Sequence, residues 1–258
     1  MQNVILASPI LSDVATVTGS LALGDMSLQN LKAMNLYKKY RTADLSAQVN
    51  FDLGSAQAID FAAIVGHNGT PAATVTISAG STPSVGDYSS GALDLLTGTD
   101  AGYELNNFAE KFAEQTYRYW RFDFSDAGNP DGFLEIGRIY LSKAFQPSKN
   151  AIYGMEEGFK DYSRTDRTVS GALSSVSREP LKTAKWELDF ATSAEMYGIA
   201  REIDRTRGNS KDVIFIPDLD DATNFQTRFL YGRMRDNQPI ISAAFSIYRK
   251  TYDLEEIK

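Results

Sequence analysis

The sequence contains no cysteine and only one histidine, His67. Without cysteine, the chain can form neither a disulfide nor a thiolate metal site. A Ser-His-Asp triad would have to use His67, and the G-x-S-x-G turn that presents the serine in many hydrolases is absent. The phosphate-binding G-x-x-x-x-G-K-S/T loop and the dinucleotide-binding G-x-G-x-x-G fingerprint are absent as well. We therefore predict no catalytic residue, no metal ion and no cofactor, and expect that the protein is not an enzyme.

Long hydrophobic runs and an excess of positive charge are also missing. No apolar run is long enough to cross a membrane, and residues 1–6 have no basic segment before their apolar ones. We therefore expect neither membrane insertion nor a secretory signal. The net charge is −7, whereas a nucleic-acid-binding surface needs basic residues to neutralise phosphates. The acidity is concentrated in residues 1–145, which hold 9 Lys and Arg against 15 Asp and Glu. We predict no nucleic-acid recognition.

The first half of the chain is instead rich in strand-like segments separated by glycine, proline, asparagine and aspartate. Aromatic and β-branched residues alternate with polar ones in residues 75–80, 117–124 and 134–141. Residues 61–65 are continuously apolar, as expected of a strand that is buried on both faces. Alternation places Tyr119, Arg121 and Asp123 on one face of their strand, with Trp120 and Phe122 on the other. These patterns predict an antiparallel β-sandwich.

Four motifs in this half carry a resemblance to a known fold. The segments F-D-L-G, Y-W-R-F and L-E-I-G-R-I-Y-L together resemble the discoidin, or galactose-binding-like, jelly roll of many carbohydrate-binding modules. The turn V-G-H-N-G is similar to that of modules embedded in the tail proteins of tailed bacteriophages. The resemblance covers roughly the first half of the chain. It implies a jelly-roll domain over residues 1–146 whose surface contacts glycans or a neighbouring protein.

The pattern changes after residues 145–150, a proline-containing polar segment that we interpret as a domain boundary. Trp186, Leu188 and Phe190 alternate with charged residues and predict a half-buried strand. Thr192 and Glu195 form a capping box, so a helix is expected over residues 193–207, before Gly208. Three strands should follow it: 213–217, another around Phe229 and Tyr231, and a long last one over 240–252.

This order of strands, one helix and further strands predicts a small antiparallel barrel over residues 147–258. It resembles the barrel of tail-tube and distal-tail proteins of long-tailed phages, which form stacked rings. In the better-known distal tail proteins the ring-forming barrel precedes the sugar-binding-like domain. Here the order is reversed, or the jelly roll is inserted after an N-terminal strand of the barrel, so that the first strand is shared. The predicted fold class is therefore all-β with one main helix.

Six residues of the first half are candidates for contact with a glycan or a partner: Tyr40, Arg41, His67, Asn68, Asp126 and Asn129. Tyr40 and Arg41 end a basic, aromatic segment in an otherwise acidic half, and tyrosine and arginine dominate binding hot spots. The alternative is that the tyrosines of this loop cover the end of the barrel.

The other four candidates lie in two turns. His67 and Asn68 follow the apolar strand, where they either hydrogen-bond sugar hydroxyls or tie the turn to the backbone. Asp126 and Asn129 lie in the acidic loop 125–132, whose oxygens resemble a partial calcium site. The spacing of an EF-hand is missing there, and the chemistry of turns accounts for these residues.

These observations favour a structural virion protein of a phage tail tip, either a distal tail or a minor tail protein. We expect it to form a homo-oligomeric ring through the C-terminal barrel, to contact other tail proteins, and to contact host-surface glycan through the jelly roll. It would be assembled in the host cytoplasm and located in the virion tail. The alternative is a free, lectin-like carbohydrate-binding protein or an accessory module of a polysaccharide-acting enzyme.

Overall fold

The structure is a computed structural model that describes residues 2–98 and 106–258. Within these residues the strands form two seven-stranded antiparallel sheets and one separate two-stranded hairpin. The all-β fold class predicted from the alternating patterns is confirmed. The chain begins with β1 (Ile5–Ala7) and a short helix, α1 (Ile10–Val14).

The N-terminal sheet follows α1. Its strands are β2 (Thr16–Gly19), β3 (Tyr40–Arg41), β4 (Ser46–His67), β5 (Thr74–Gly80), β6 (Tyr88–Asp94), β7 (Asn106–Ser125) and β8 (Glu135–Ser142). They lie in the order β3-β8-β4-β7-β5-β6, and β2 pairs with the first part of β4. A 3-10 turn at Leu28–Lys32 lies between β2 and β3.

Two long strands curl this sheet into the jelly roll. In β4 the pairing with β7 shifts register between Asp52 and Gln57 and again between Ile59 and Phe61. The first part of β4 therefore pairs with β2 and the end of β7, whereas its last part also pairs with β8. Extra residues of this kind bend a strand and increase its twist, which lets one strand serve two layers. The enclosed core includes Trp120 and Phe122, both fully buried.

The second sheet takes its edge strand from the other end of the chain. Its remaining strands are β9 (Glu156–Lys160), β12 (Leu181–Thr192), β13 (Asp212–Ile216), β14 (Leu230–Asp236), β15 (Ile241–Ala244) and β16 (Ile247–Glu256), while β10 (Arg164–Arg167) and β11 (Leu173–Val176) form the separate hairpin. The order is β1-β13-β14-β16-β12-β9, with β15 on β16. Strand β1 pairs with β13 in the register Ile5↔Ile216 to Ala7↔Ile214.

The helical segment lies where the capping box predicts it. Helix α2 (Ser193–Glu195), a π-type turn at Met196–Ala200 and helix α3 (Arg201–Arg207) follow one another, and both hydrogen bonds of the capping box between Thr192 and Glu195 are present. The segment buries Met196, Ala200 and Ile203 in the same core as Trp186 and Phe215. A last short helix, α4 (Phe225–Arg228), precedes β14.

Two details of the second half differ from the predicted pattern. Phe190 is exposed because a bulge between Leu188 and Ala191 shifts the alternation by one residue and buries Ala191 in its place. The predicted long strand over residues 240–252 is a hairpin, because the chain turns at Ser246, where φ is +58°. Neither a β-bulge nor a turn at serine can be recognised reliably from the types of the residues involved.

A buried ionic cluster joins the two sheets. Arg138 of β8 donates from Nη2 to Asp212 Oδ1 of β13 at 3.1 Å and to Asp13 Oδ1 of α1 at 2.8 Å. The Tyr140 hydroxyl also donates to Asp212, and Arg207 donates to Asp13. Both Arg138 and Asp212 have side chains that are only 2% exposed, so their charges compensate each other away from water. The jelly roll and the second sheet are thus tied by directional contacts as well as by packing.

Candidate functional site

Four of the six candidate residues meet at one end of the jelly roll, where the turn after β4 lies against the loop after β7. Asp126 accepts hydrogen bonds from the Thr70 amide at 2.9 Å, the Thr70 hydroxyl at 2.7 Å and Asn129 Nδ2 at 3.0 Å. Asn129 also donates to the carbonyl of Asn68 at 3.1 Å. Asp126 and Asn129 are buried. This network joins the two loops.

Asn68 completes the network. Its Nδ2 donates to Asp131 Oδ2 at 2.9 Å and to the carbonyl of Phe133 at 3.1 Å, while its Oδ1 accepts from the Glu135 amide at 2.8 Å. An asparagine side chain has two donors and one carbonyl acceptor, so most of its capacity is used inside the protein. The arrangement supports the interpretation that Asn68 organises the turn.

His67 is buried beside this network. Its Nδ1 accepts a hydrogen bond from the Gly69 amide at 3.1 Å, and within the described residues Nε2 has no hydrogen-bonding partner. Burial removes the ring from water and lowers the pKa of His67 to about 4. The imidazole is therefore neutral at physiological pH, and it is not accessible to a ligand in solution.

Tyr40 and Arg41 lie on the neighbouring edge strand. Tyr40 is fully buried, and its hydroxyl donates to the Ser20 carbonyl at 2.9 Å, which supports the interpretation that it covers the core. Arg41 donates to Glu135 and stacks 4.1 Å above the ring of Phe133. Burial by itself would raise the pKa of Glu135, but hydrogen bonds from Lys39 and Arg41 outweigh it and hold that pKa below its ordinary value.

A second surface, which the sequence patterns did not single out as a site, is a groove of about 360 Å³ on the outer face of the jelly roll. We call it the face groove. Its polar side chains come from β2, β4 and β7, and they are Thr16, Thr18, Gln48, Asn50, Asp52, Tyr119 and Arg121. Pro83 and Val85 of the loop after β5 and the buried Phe51 and Trp120 also line it. Side chains of residues two apart on a strand point to the same face, which explains why the groove residues on β2, β4 and β7 are every second residue of their strands.

Strand register arranges the groove residues in cross-strand rows. Asp52 lies opposite Thr16 on one side and Tyr119 on the other, and Asn50 lies opposite Thr18 and Arg121 in the same way. Side chains directly opposite each other in antiparallel strands are close enough to interact. The rows form a continuous polar surface with one aromatic ring.

Ion pairs neutralise the charges around the groove. Arg118 contacts Asp52 through two hydrogen bonds of 2.7 and 2.8 Å, and this contact lowers the pKa of Asp52. Arg121 Nε donates to Asp123 at 2.8 Å, and both side chains are partly exposed, on the one face where alternation places them. Each carboxylate is matched by a guanidinium, and the groove carries little net charge.

Several polar groups of the face groove are free to bind a ligand. Within residues 2–98 and 106–258, the side chains of Asn50, Thr16, Thr18 and Tyr119 make no hydrogen bond to another residue. An amide, two hydroxyls and a phenol together offer both donors and acceptors. The face groove therefore differs from the loop network, where the polar groups satisfy one another.

The described part of the chain holds neither a cluster of metal-ligating residues nor a helix that could span a membrane. Among residues 2–98 and 106–258, no group of three or more His, Cys, Asp or Glu residues is placed to hold a metal ion. In the same residues, no helix is both long enough and apolar enough to cross a bilayer.

Comparison with known proteins gives solved structures that match about half of the chain. No family model matches the sequence, and no curated protein matches it. Three similar solved structures are the CBM32 of AlyQ in complex with 4,5-unsaturated mannuronic acid, the family 32 CBM from C. perfringens NanJ in complex with galactose, and a fucose binding module of Streptococcus pneumoniae. None of these three is described as a tail protein.

The likeness to these modules is one of fold. The AlyQ module is 22% identical over 53% of this chain and 97% of its own, with a TM-score of 0.37. The NanJ module is 15% identical over 53% of this chain and 98% of its own, with a TM-score of 0.41. The fucose binding module is 12% identical over 50% of this chain and 92% of its own, with a TM-score of 0.39.

Proposed function

We propose that the jelly roll binds carbohydrate and that the face groove is the binding surface. The observation that supports this is the set of unpaired amide, hydroxyl and phenol groups on a solvent-facing sheet, beside the ring of Tyr119. Binding sites combine an apolar or aromatic surface with a few convergent polar groups. The proposal depends on the chemistry of this groove and not on the degree of likeness to the solved modules.

The charge and the hydrogen-bonding groups of the face groove favour a neutral sugar over other ligands. A sugar hydroxyl both donates and accepts hydrogen bonds, which matches the mixed groups of Asn50, Thr16 and Thr18. A phosphate-rich ligand would need unpaired cations, but Arg118 and Arg121 are each held by a carboxylate. The Arg118 guanidinium lies 4.8 Å from the centre of the Tyr119 ring, and the phenol hydroxyl of Tyr119 adds a further donor and acceptor for a sugar hydroxyl.

A glycan array followed by calorimetry tests this function. We expect saturable binding to at least one glycan, weakened about fivefold in Asn50→Ala, because one lost hydrogen bond corresponds to about 1 kcal/mol. Tyr119→Ala should weaken binding similarly. Asn209→Ala is a matched control, since Asn209 is an exposed asparagine in the second half of the chain. Absence of binding to every glycan, or binding that survives both groove variants, would refute the proposal.

A second candidate function is the structural one, a ring-forming component of a phage tail tip. It is supported by a separate observation: among residues 2–98 and 106–258, most of the exposed large hydrophobic residues lie in the C-terminal half, including Tyr153, Phe159, Val169, Phe245 and Ile247. Large exposed apolar areas mark surfaces that contact other proteins. Electron microscopy of the purified protein should show closed rings, and a strict monomer at high concentration would contradict this role.

A further inference from the structure

A lysine is buried in the second half of the protein, beneath helix α3. The side chain of Lys250, on β16, is only 1% exposed, and its Nζ lies 5.0 Å from the centre of the Tyr252 ring. Tyr252 in turn stacks on Trp186, with the two ring centres 4.3 Å apart. Lysine is almost never fully buried unless its charge is paired. The groups around Nζ therefore determine the chemistry of this lysine.

Three groups accept hydrogen bonds from Lys250 Nζ. They are Oδ2 of Asp204 on α3, Oδ1 of Asn237 at 3.3 Å and the backbone carbonyl of Gln238 at 3.0 Å. Asn237 and Gln238 directly follow β14, so α3, β16 and the segment after β14 meet at one nitrogen atom. An amine, a side-chain amide and a carboxyl group are thus placed together.

The amide of Asn237 is oriented with its carbonyl towards the lysine. Its Nδ2 points the other way and donates to the backbone carbonyl of Asp204 at 3.3 Å. Cγ of Asn237 is bonded to Oδ1, so a small rotation of the amide brings this carbon within reach of Nζ. Holding two reacting groups side by side converts a slow bimolecular reaction into an intramolecular one. Asn237 is exposed, so a small leaving group can escape into solvent.

Asp204 is suited to exchange protons with the lysine and the amide. Burial raises the pKa of its carboxyl group above the ordinary value, although the hydrogen bond from Lys250 opposes this shift. Within the described residues, Oδ1 of Asp204 has no hydrogen-bonding partner. Moving a proton from Nζ to Asp204 replaces a buried ion pair by two neutral groups, which burial favours. The product is a neutral amine, the nucleophilic form of lysine.

We propose that Lys250 and Asn237 become joined by an intramolecular isopeptide bond once the chain has folded. Nζ forms a bond to Cγ of Asn237 and gives up a proton to Asp204, while Asp204 gives its own proton to Nδ2. The Cγ–Nδ2 bond breaks, and the nitrogen leaves as ammonia. Nothing is oxidised or reduced, and no co-reactant is consumed. Asp204 is the acid–base catalyst of this single reaction.

The bond would close residues 237–250 into a covalent loop. This loop contains β15, which pairs with β16 and whose four residues are all exposed, and the turn at Ser246. A cross-link restricts the unfolded chain and so stabilises a hairpin that buries little surface. A chain without cysteine cannot use a disulfide for this purpose. The inference goes beyond carbohydrate binding and is independent of the face groove.

Mass spectrometry of the purified protein tests the bond directly. We expect an intact mass below that of the sequence by one molecule of ammonia. Trypsin cuts after Arg235 and Arg249 but not after an acylated lysine, so peptides 236–249 and 250–258 should be recovered as one linked species. The full sequence mass, with cleavage after Lys250, would overturn the proposal. A loss of water in place of ammonia would put the bond on Asp204 and would also overturn it.

Variants identify the atoms involved. Lys250→Arg and Asn237→Ala should both retain the full mass, and Asp204→Ala should slow the reaction about a hundredfold or more. Asn209→Ala, at another exposed asparagine close to α3, is the control and should still lose ammonia.

Two results with these variants would contradict the assignment. Loss of ammonia from Lys250→Arg or Asn237→Ala would show that it comes from another site. A wild-type rate in folded Asp204→Ala would overturn the role of the carboxyl group. Circular dichroism shows whether each variant is folded, and the linked peptide of the wild type decides the main point without any variant.

Discussion

Acidification should destabilise the protein through its single histidine. Burial lowers the pKa of folded His67 to about 4, whereas a histidine in an unfolded chain titrates near 6.5. Between these values the unfolded chain binds the proton more readily. The stability that depends on neutral His67 is fully present above about pH 6.5 and is lost as the pH falls to about 4. The difference between the two pKa values corresponds to about 3 kcal/mol.

Urea unfolding of the wild type and His67→Asn across this pH range isolates the effect. Asparagine can still accept the hydrogen bond from the Gly69 amide but does not titrate. Carboxylates that titrate below pH 5 affect both proteins equally, so the difference between their unfolding free energies should shift by about 3 kcal/mol from pH 7 to pH 4. A difference that stays constant with pH would refute the argument. So would an imidazole proton resonance that titrates near pH 6.5 in the folded protein.

Two further substitutions test the contacts that hold the site in place. Asp212→Ala leaves the buried guanidinium of Arg138 without its carboxylate and should reduce the free energy of unfolding by about 3–5 kcal/mol. Arg205→Ala is the control, because this arginine lies in an exposed ion pair and its loss should leave the free energy of unfolding almost unchanged. Asp126→Ala removes three hydrogen bonds from the loop network and should cost about 3 kcal/mol, measured by urea unfolding. Glycan affinity of the folded Asp126→Ala protein should be unchanged, since binding is assigned to the face groove; a parallel loss of affinity would move the site to the loops.

Much of the architecture could be predicted from local pattern. The alternation around Trp120 and Leu188 indicates which face of each strand is buried, because residue type follows side-chain direction in a half-buried strand. The capping box at Thr192 predicts the start of the helix, since it depends on residues only three apart. At Phe190 the alternation predicted the wrong face of the strand, because a β-bulge adds an extra residue there.

The candidate site was harder to predict because it depends on partners that are distant in sequence. Tyr119 and Arg121 could be placed on one face, but not beside Asn50 and Thr18, since that requires the register of three strands. Polar residues in turns, such as Asp126, were predicted as binding residues because their side chains carry the groups that ligand-binding residues use. In the structure, Asp126 instead accepts hydrogen bonds from Thr70 and Asn129 in the neighbouring loops.

The position of β1 bears on how the chain reaches its native state. Ile5 pairs with Ile216, so β1 has no partner until more than two hundred further residues have been synthesised. The jelly roll can collapse meanwhile, since its strands are contained between residues 16 and 142. Completion of the second core is then a late, long-range event. A fragment that starts at residue 147 would lack this strand and expose the edge of β13, where intermolecular pairing begins.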